Sequence, residues 1–197
     1  MAMLSLLLGL PLKCARGDGS AIRLVMRETS FGKFVPGDLN DFSARVSPDA
    51  NRIMFLAERD GEQFLSVNGV RLSGDHELKP LTIEFSPDSK HVAYVALRKD
   101  REFVVIDGHE DNEYQEINTK AMDGRGGKIV FSPDGRRVAY EANKGGKTCV
   151  VVDGVEGPQY DWIEENSLVF SSDSTHVGYA ASPFTRNRCP TRRISFA

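Results

Sequence analysis

Apolar residues along this chain recur in short runs at every second position, separated by clusters of Ser, Pro, Asp and Gly. The pattern is clearest near residue 131, where "KIVF" and "RVAYEA" flank the turn sequence "SPDG". A period of two is that of a strand that buries one face. Ser132, Pro133 and Gly135 occupy the first, second and fourth places of a type I turn. The run "TCVVVDG" predicts a third strand that ends at Asp153–Gly154. That pair suits a type I′ hairpin turn, because both central residues need positive φ. A fourth strand is predicted in "QYDWI", so four short strands make one unit of about 40 residues. Helical periodicity is missing, which excludes an α-solenoid, and no Leu/Asn ladder of a leucine-rich repeat is present.

The unit repeats. "FSPDGRRVAYEA" at Phe131 is matched by "FSPDSKHVAYVA" at Phe85, "VSPDANRIMFLA" at Val46 and "FSSDSTHVGYAA" at Phe170. The opening serines, Ser47, Ser86, Ser132 and Ser171, lie 39, 46 and 39 residues apart. Asn68–Gly69, Asp107–Gly108 and Asp153–Gly154 keep the same steps of 39 and 46. Two independent markers with one spacing establish the repeat. The longer step locates an insertion in "INTKAMDGRGGK", expected to be a surface loop.

The stretches "FSPDGRRVAYEANKGGKTCVVVDG" and "FSPDSKHVAYVALRKDREFVVIDG" resemble the WD-repeat-like propeller repeats of the TolB type, over residues 20–181. The resemblance implies an all-β fold, a β-propeller of about four four-stranded blade equivalents. It also implies an interaction platform for a protein or peptide, although such propellers occur attached to enzymes as well.

Only three units are complete. The fourth writes two strands through "HVGYAA" and then changes character at residue 182. Residues 21–35, "AIRLVMRETSFGKFV", are expected to supply its missing strands. Four blades need strong twist to close, so a homo-oligomer is expected in which two chains complete one larger ring. A compact four-bladed ring and a piece of a longer chain are the alternatives. Residues 1–19 form an apolar segment expected to pack against something, and "MAMLSLLLGLPL" lacks the flanks of a signal peptide and the length of a membrane span. The compartment, cytoplasm or periplasm, stays open. Residues 182–197 form a basic tail of uncertain origin: they hold four arginines and no acid, against a net charge of -3 for the whole chain. No basic stripe interleaved with aromatics points to nucleic acid.

Ser171, Asp173 and His176, with Ser86, Asp88 and His91 as a second copy, invite a hydrolase reading. The other two copies hold Arg52 and Arg137 in place of the histidine, and arginine does not replace a general base. Asp49, Asp88, Asp134 and Asp173 are therefore expected to cap the turns, with the basic residue holding the aspartate or reaching a neighbouring unit. No GxSxG elbow is present. Phe55, Tyr94, Tyr140 and Tyr179 form a column expected to pack between units. Trp162 is expected on an outer strand, half-buried.

Cys14, Cys149 and Cys189 show no metal spacing; Cys149 is expected to be buried, and the other two could pair if the termini meet. His76, His91, His109 and His176 form no HxH or HExxH pattern, and "DGHEDNE" lacks an EF-hand ladder and is expected to be a solvated loop. "GRGGK" is not a phosphate loop. No metal and no cofactor are expected. The leading expectation is a non-catalytic scaffold. The second is an esterase- or lactonase-like hydrolase, its site at the propeller mouth and drawn from Ser30, His109 or Asp123. The third is the accessory propeller domain of a larger enzyme such as a prolyl-oligopeptidase-like peptidase.

Overall fold

The structure is a computed structural model that describes residues 2–6, 29–34, 44–59, 62–72, 77–79, 82–117, 129–182 and 193–196. All regular structure among these residues is β, arranged in antiparallel sheets. The third sheet shows the plan. Two short pieces, Glu116–Ile117 and Val130–Phe131, lie end to end along one edge of Val138–Lys144. Lys147–Val152 pairs with the other edge of that strand, and Val155–Tyr160 closes the sheet outside it.

The second sheet repeats the plan with Glu77–Leu78 and Glu84–Phe85, then Val92–Arg98, Arg101–Ile106 and His109–Glu110. The first sheet runs Arg45–Val46, Ile53–Arg59, Glu62–Val67 and Val70–Leu72. In the fourth, Trp162–Ile163 and Val169–Phe170 flank Val177–Ser182, and Arg193–Phe196 pairs with its other edge.

Two sequence expectations are revised here. "QYDWI" is not one strand: Tyr160 ends the third sheet and Trp162 begins the fourth, so the chain crosses between sheets inside that segment. The outer strand instead starts directly after the Asp153–Gly154 turn, because a two-residue hairpin leaves no loop to spend. The third strand of the fourth sheet is Arg193–Phe196, from the tail. Among the described residues no strand lies outside it where Val155–Tyr160 lies in the third. Of residues 21–35, expected to supply the missing strands, only Thr29–Phe34 is described, and it pairs with Ala2–Leu6 in a separate two-stranded ribbon. The long insertion falls on residues 118–128, outside the described residues, between the two short pieces of the third sheet.

The sheets stack in chain order with apolar layers between them. Met54, Leu56 and Leu65 of the first sheet meet Val92, Tyr94 and Ala96 of the second. Ala93, Val95 and Val104 of the second meet Tyr140, Ala142 and Val151 of the third, and Ala139 and Val150 of the third meet Val177, Tyr179 and Ala181 of the fourth. Alternate residues of one strand thus serve opposite neighbours, which turns the period-two pattern into a strand buried on both faces. Burying each such large side chain stabilises the stack by about 1.5–3 kcal/mol.

The hairpin landmarks have a local cause. Asn68, Asp107 and Asp153 stand at φ of 50°, 51° and 51°, each followed by a glycine at positive φ, the type I′ geometry. Their side-chain Oδ1 atoms accept the amide N–H of Ile53, Val92 and Val138, each at 2.9 Å. A single Asn or Asp therefore makes the turn and ties it to the start of the long strand alongside, Ile53–Arg59, Val92–Arg98 or Val138–Lys144.

Candidate functional site

The four "SxD" turns are built alike. Ser47, Ser86 and Ser132 donate through Oγ to the aspartate two residues on at 2.6 Å, and Ser171 does so to Asp173 at 2.5 Å. The same Oγ accepts the backbone N–H of Arg52, His91, Arg137 or His176 at 2.9 Å. Each aspartate also accepts the backbone N–H of the residue two places further on, as Asp173 does from Thr175 at 3.1 Å. These bonds favour the charged carboxylate. They hold Asp49 and Asp173 down at about 2, with the serine hydroxyl the largest cause and Asn51 or Thr175 next. Asp88 and Asp134 are lowered too, again chiefly by Ser86 and Ser132.

Neighbouring turns are clasped in two different ways. Between the first and second sheets, Arg52 Nη1 donates to the carbonyls of Ser89 and Lys90 at 3.0 and 2.8 Å, and the Asp49 amide donates to Ser89 Oγ at 3.0 Å. Between the third and fourth, Arg137 Nη1 reaches the carbonyls of Ser174 and Thr175 at 3.4 and 2.8 Å, and the Asp134 backbone amide donates to Ser174 Oγ at 3.1 Å. Between the second and third, position 135 is glycine, and a Cβ there would stand 2.5 Å from Asp88 Oδ1. The basic residues bond away from the turn aspartates: Arg137 Nε meets Asp153 at 2.8 Å and His91 Nδ1 meets Asp107 at 2.6 Å.

The junctions differ again at their outer edge. Asp111 lies at the second–third junction, where its Oδ2 accepts the Tyr140 hydroxyl at 2.8 Å and its Oδ1 the Asn112 amide at 2.7 Å. Tyr140 is 1% exposed, and burial, then the Asp111 bond, raise its pKa. Tyr114 packs edge-on against it at 6.2 Å, and burial pushes that phenol up to about 12. The Tyr114 hydroxyl is buried without a hydrogen-bond partner. One junction on, Tyr160 and Tyr179 repeat the edge-on pair at 5.9 Å, but Gly157 stands where Asp111 would. An open cavity of about 410 Å³ lies beside it, lined by Arg137, Asp153, Glu156, Val150, Val155 and Tyr179 among others.

The residues singled out from sequence fall as follows. Ser171 and Asp173 are in contact, but it is the backbone N–H of His176 that meets Ser171, while its imidazole lies 2.6 Å from Thr175 Oγ1. His91 likewise turns its ring to Asp107 and its backbone to Ser86. His109 is exposed on an outer strand, away from these turns. Ser30 lies on the two-stranded ribbon, where only the backbone is described; Asp123, His76, Cys14 and Cys189 are outside the described residues. Cys149 is buried, and burial raises its thiol pKa. The aromatic column is buried throughout, Phe55, Tyr94, Tyr140 and Tyr179 being 1–4% exposed.

Trp162 departs from expectation. It sits on the first strand of the fourth sheet and is 51% exposed. "DGHEDNE" is exposed except at half-buried Asp111, and its acids have partners: Asp111 bonds Tyr140, and both Glu110 and Glu113 pair with Arg98. Among the described residues no three His, Cys, Asp or Glu side chains gather as a metal site. The Asp111/Gly157 exchange was missed in the sequence, although aligning "DGHEDNEY" with "DGVEGPQY" brings the two positions together.

No protein-family model matches the chain, and no curated protein matches it. Among solved structures it is similar to TolB from Acinetobacter baumannii, at 17% identity and a TM-score of 0.42, covering 86% of this chain and 43% of that one. A candidate TolB from Agrobacterium tumefaciens gives 17% identity and 0.38, over 78% and 60% of the two chains. A candidate 6-phosphogluconolactonase from Bacteroides uniformis gives 13% and 0.34, over 78% and 57%. The chain therefore spans 43–60% of the length of these proteins.

Proposed function

We propose that this chain is a non-catalytic scaffold of β-propeller type, its four stacked sheets serving as blade equivalents that present a face to a protein or peptide. The observation that carries the reading is the inward bonding of the repeated turns. Ser171 Oγ is held by Asp173 and by the His176 backbone, so the imidazole has no hydrogen bond to the serine it would have to activate. A turn that recurs four times with the same bonds is a device of shape. The register of the fourth sheet adds a surface. Trp162 pairs with Ser182 and Val169 with Gly178, which puts both on the face turned away from the third sheet. They are 51% and 54% exposed, four residues apart along that face, and an exposed aromatic sharing a face with an aliphatic residue is the composition of an interaction anchor.

Two measurements test this. Hydrolysis of p-nitrophenyl acetate and of a γ-lactone is expected to run at the buffer rate, unchanged by Ser171→Ala or His109→Ala; a protein-dependent rate lost in either variant would refute the scaffold reading. A displayed peptide library selected on the immobilised chain is expected to yield binders that fail on Trp162→Ala. Enrichment no better than on a blank surface, or binders indifferent to that change, would count against this face.

A further inference from the structure

The outer strands of the second and third units are internal variants of one another. Positions 107–114 match 153–160, so "DGHEDNEY" aligns with "DGVEGPQY". The Asp-Gly turn, the glutamate at 110 and 156 and the tyrosine at 114 and 160 are kept. The other four positions all change in one direction, towards less polar: His109 gives way to Val155, Asp111 to Gly157, Asn112 to Pro158 and Glu113 to Gln159. In the second unit the Asp111 carboxylate accepts the Tyr140 hydroxyl at 2.8 Å and the Asn112 amide at 2.7 Å. In the third, Val155, Gly157 and Pro158 line the 410 Å³ cavity together with Val150 and Val152. That volume lies within the roughly 300–1,000 Å³ of small-molecule sites, which are mostly apolar.

The charged residues around the cavity decide what it can hold. Asp153 and Glu156 also line it, and each already faces a cation. Asp153 Oδ2 accepts from Arg137 Nε at 2.8 Å, and its Oδ1 accepts the Val138 amide at 2.9 Å. Glu156 accepts from Lys144 Nζ with both oxygens, at 2.9 and 3.0 Å. Two carboxylates are thus matched by two cations. An anionic ligand would stand beside both carboxylates with no unpaired cation to meet it, and a cationic one would have to displace Arg137 or Lys144. A charge brought into such a cavity loses hydration without gaining a counter-charge. An uncharged molecule meets neither obstacle and gains from the apolar surface it takes out of water.

We infer that this cavity binds a small uncharged aromatic or alicyclic molecule, seated against Val150, Val152, Val155 and Pro158. The site is separate from the Trp162 face, and the inference stands if the scaffold reading fails. The probe is indole, compared with indole-3-acetate and tryptamine, which add an anion or a cation to the same ring. Binding is followed by the methyl signals of Val150, Val152 and Val155. Saturable shifts centred on these residues are expected, with indole binding more tightly than either charged analogue. Val155→Asp adds an unmatched carboxylate at a position that is 71% exposed, and is expected to lower the affinity for indole about threefold or more. Writing the second unit's polar set into the third, with Val155→His, Gly157→Asp and Pro158→Asn together, is expected to lower it about tenfold or more. A Cβ at position 157 would stand 3.0 Å from the Val150 carbonyl, so the single change at the rim keeps the test independent of how the triple variant folds. Absence of saturable shifts up to about 10 mM indole would overturn the inference, and so would an affinity unchanged in Val155→Asp. Either charged analogue binding as tightly as indole would overturn the claim that the ligand is uncharged.

Discussion

The second–third and third–fourth junctions use one plan: an edge-on tyrosine pair, a hairpin aspartate tied to the start of the long strand of its own sheet, and an apolar layer beneath. They nevertheless end differently. The first is filled by a carboxylate bonded to a buried phenol, and the second is open to a cavity at the same place. Repeat proteins reuse a packing solution, and a single changed side chain inside it converts structural volume into available volume. The turn clasps differ in the opposite sense, since the hollow junction has the Arg137 bridge that the filled one lacks. Each junction therefore holds through a different end.

The largest effect should come from the tyrosines themselves. Tyr140→Ala is expected to cost about 3–5 kcal/mol, and Tyr179→Ala less, because that side chain lines a cavity and lacks the Asp111 counterpart. Urea unfolding of the two variants reads the difference, and equal costs would break the comparison. Next comes the hydrogen bond: Asp111→Ala leaves the buried Tyr140 hydroxyl without its acceptor and should cost about 1–3 kcal/mol, while Gly157→Ala should cost under about 1. Adding Tyr140→Phe to Asp111→Ala should recover part of the loss in a double-mutant cycle.

Arg137→Ala and Arg52→Ala each remove charge-assisted bonds to two carbonyls of the following turn, and about 1 kcal/mol is expected in thermal unfolding. His91→Ala, which breaks no bond between turns, should cost less. Tyr114→Phe should fall within about 0.5 kcal/mol of neutral or stabilise slightly, because the hydroxyl it deletes is buried without a partner. The smallest effect is the titration of Asp49 and Asp173. Their folded pKa of about 2 lies below the ordinary carboxylate value of 3.8, so their contribution is present above about pH 4 and lost as pH falls towards 2. Carboxyl NMR titration should give midpoints near 2 for this pair, and midpoints near 4 would contradict the turn geometry.

Much of the fold was legible, because turn chemistry is local. Ser132–Gly135 and Asp153–Gly154 need particular φ values, and few residues supply them. The period-two pattern likewise predicted the long strands Val92–Arg98 and Val138–Lys144. What stayed hidden was partnership between strands. Nothing local to "QYDWI" says that Tyr160 and Trp162 belong to different sheets, and nothing in "RISF" says that it pairs with Val177–Ser182. The repeated Ser, Asp and His were visible as a set, but the sequence does not say whether ring or backbone of the histidine meets the serine. The cavity depends on a residue that is missing, and glycine in a strand reads only as a weak spot.

The measurement that bears most directly on the claim that one position decides between a filled and a hollow junction is xenon binding in crystals of wild type, Asp111→Gly and Gly157→Asp, since xenon occupies apolar cavities. The account predicts xenon at the third–fourth junction of the wild type, at both junctions of Asp111→Gly, and at neither in Gly157→Asp. Xenon at the same single junction in all three proteins would contradict it.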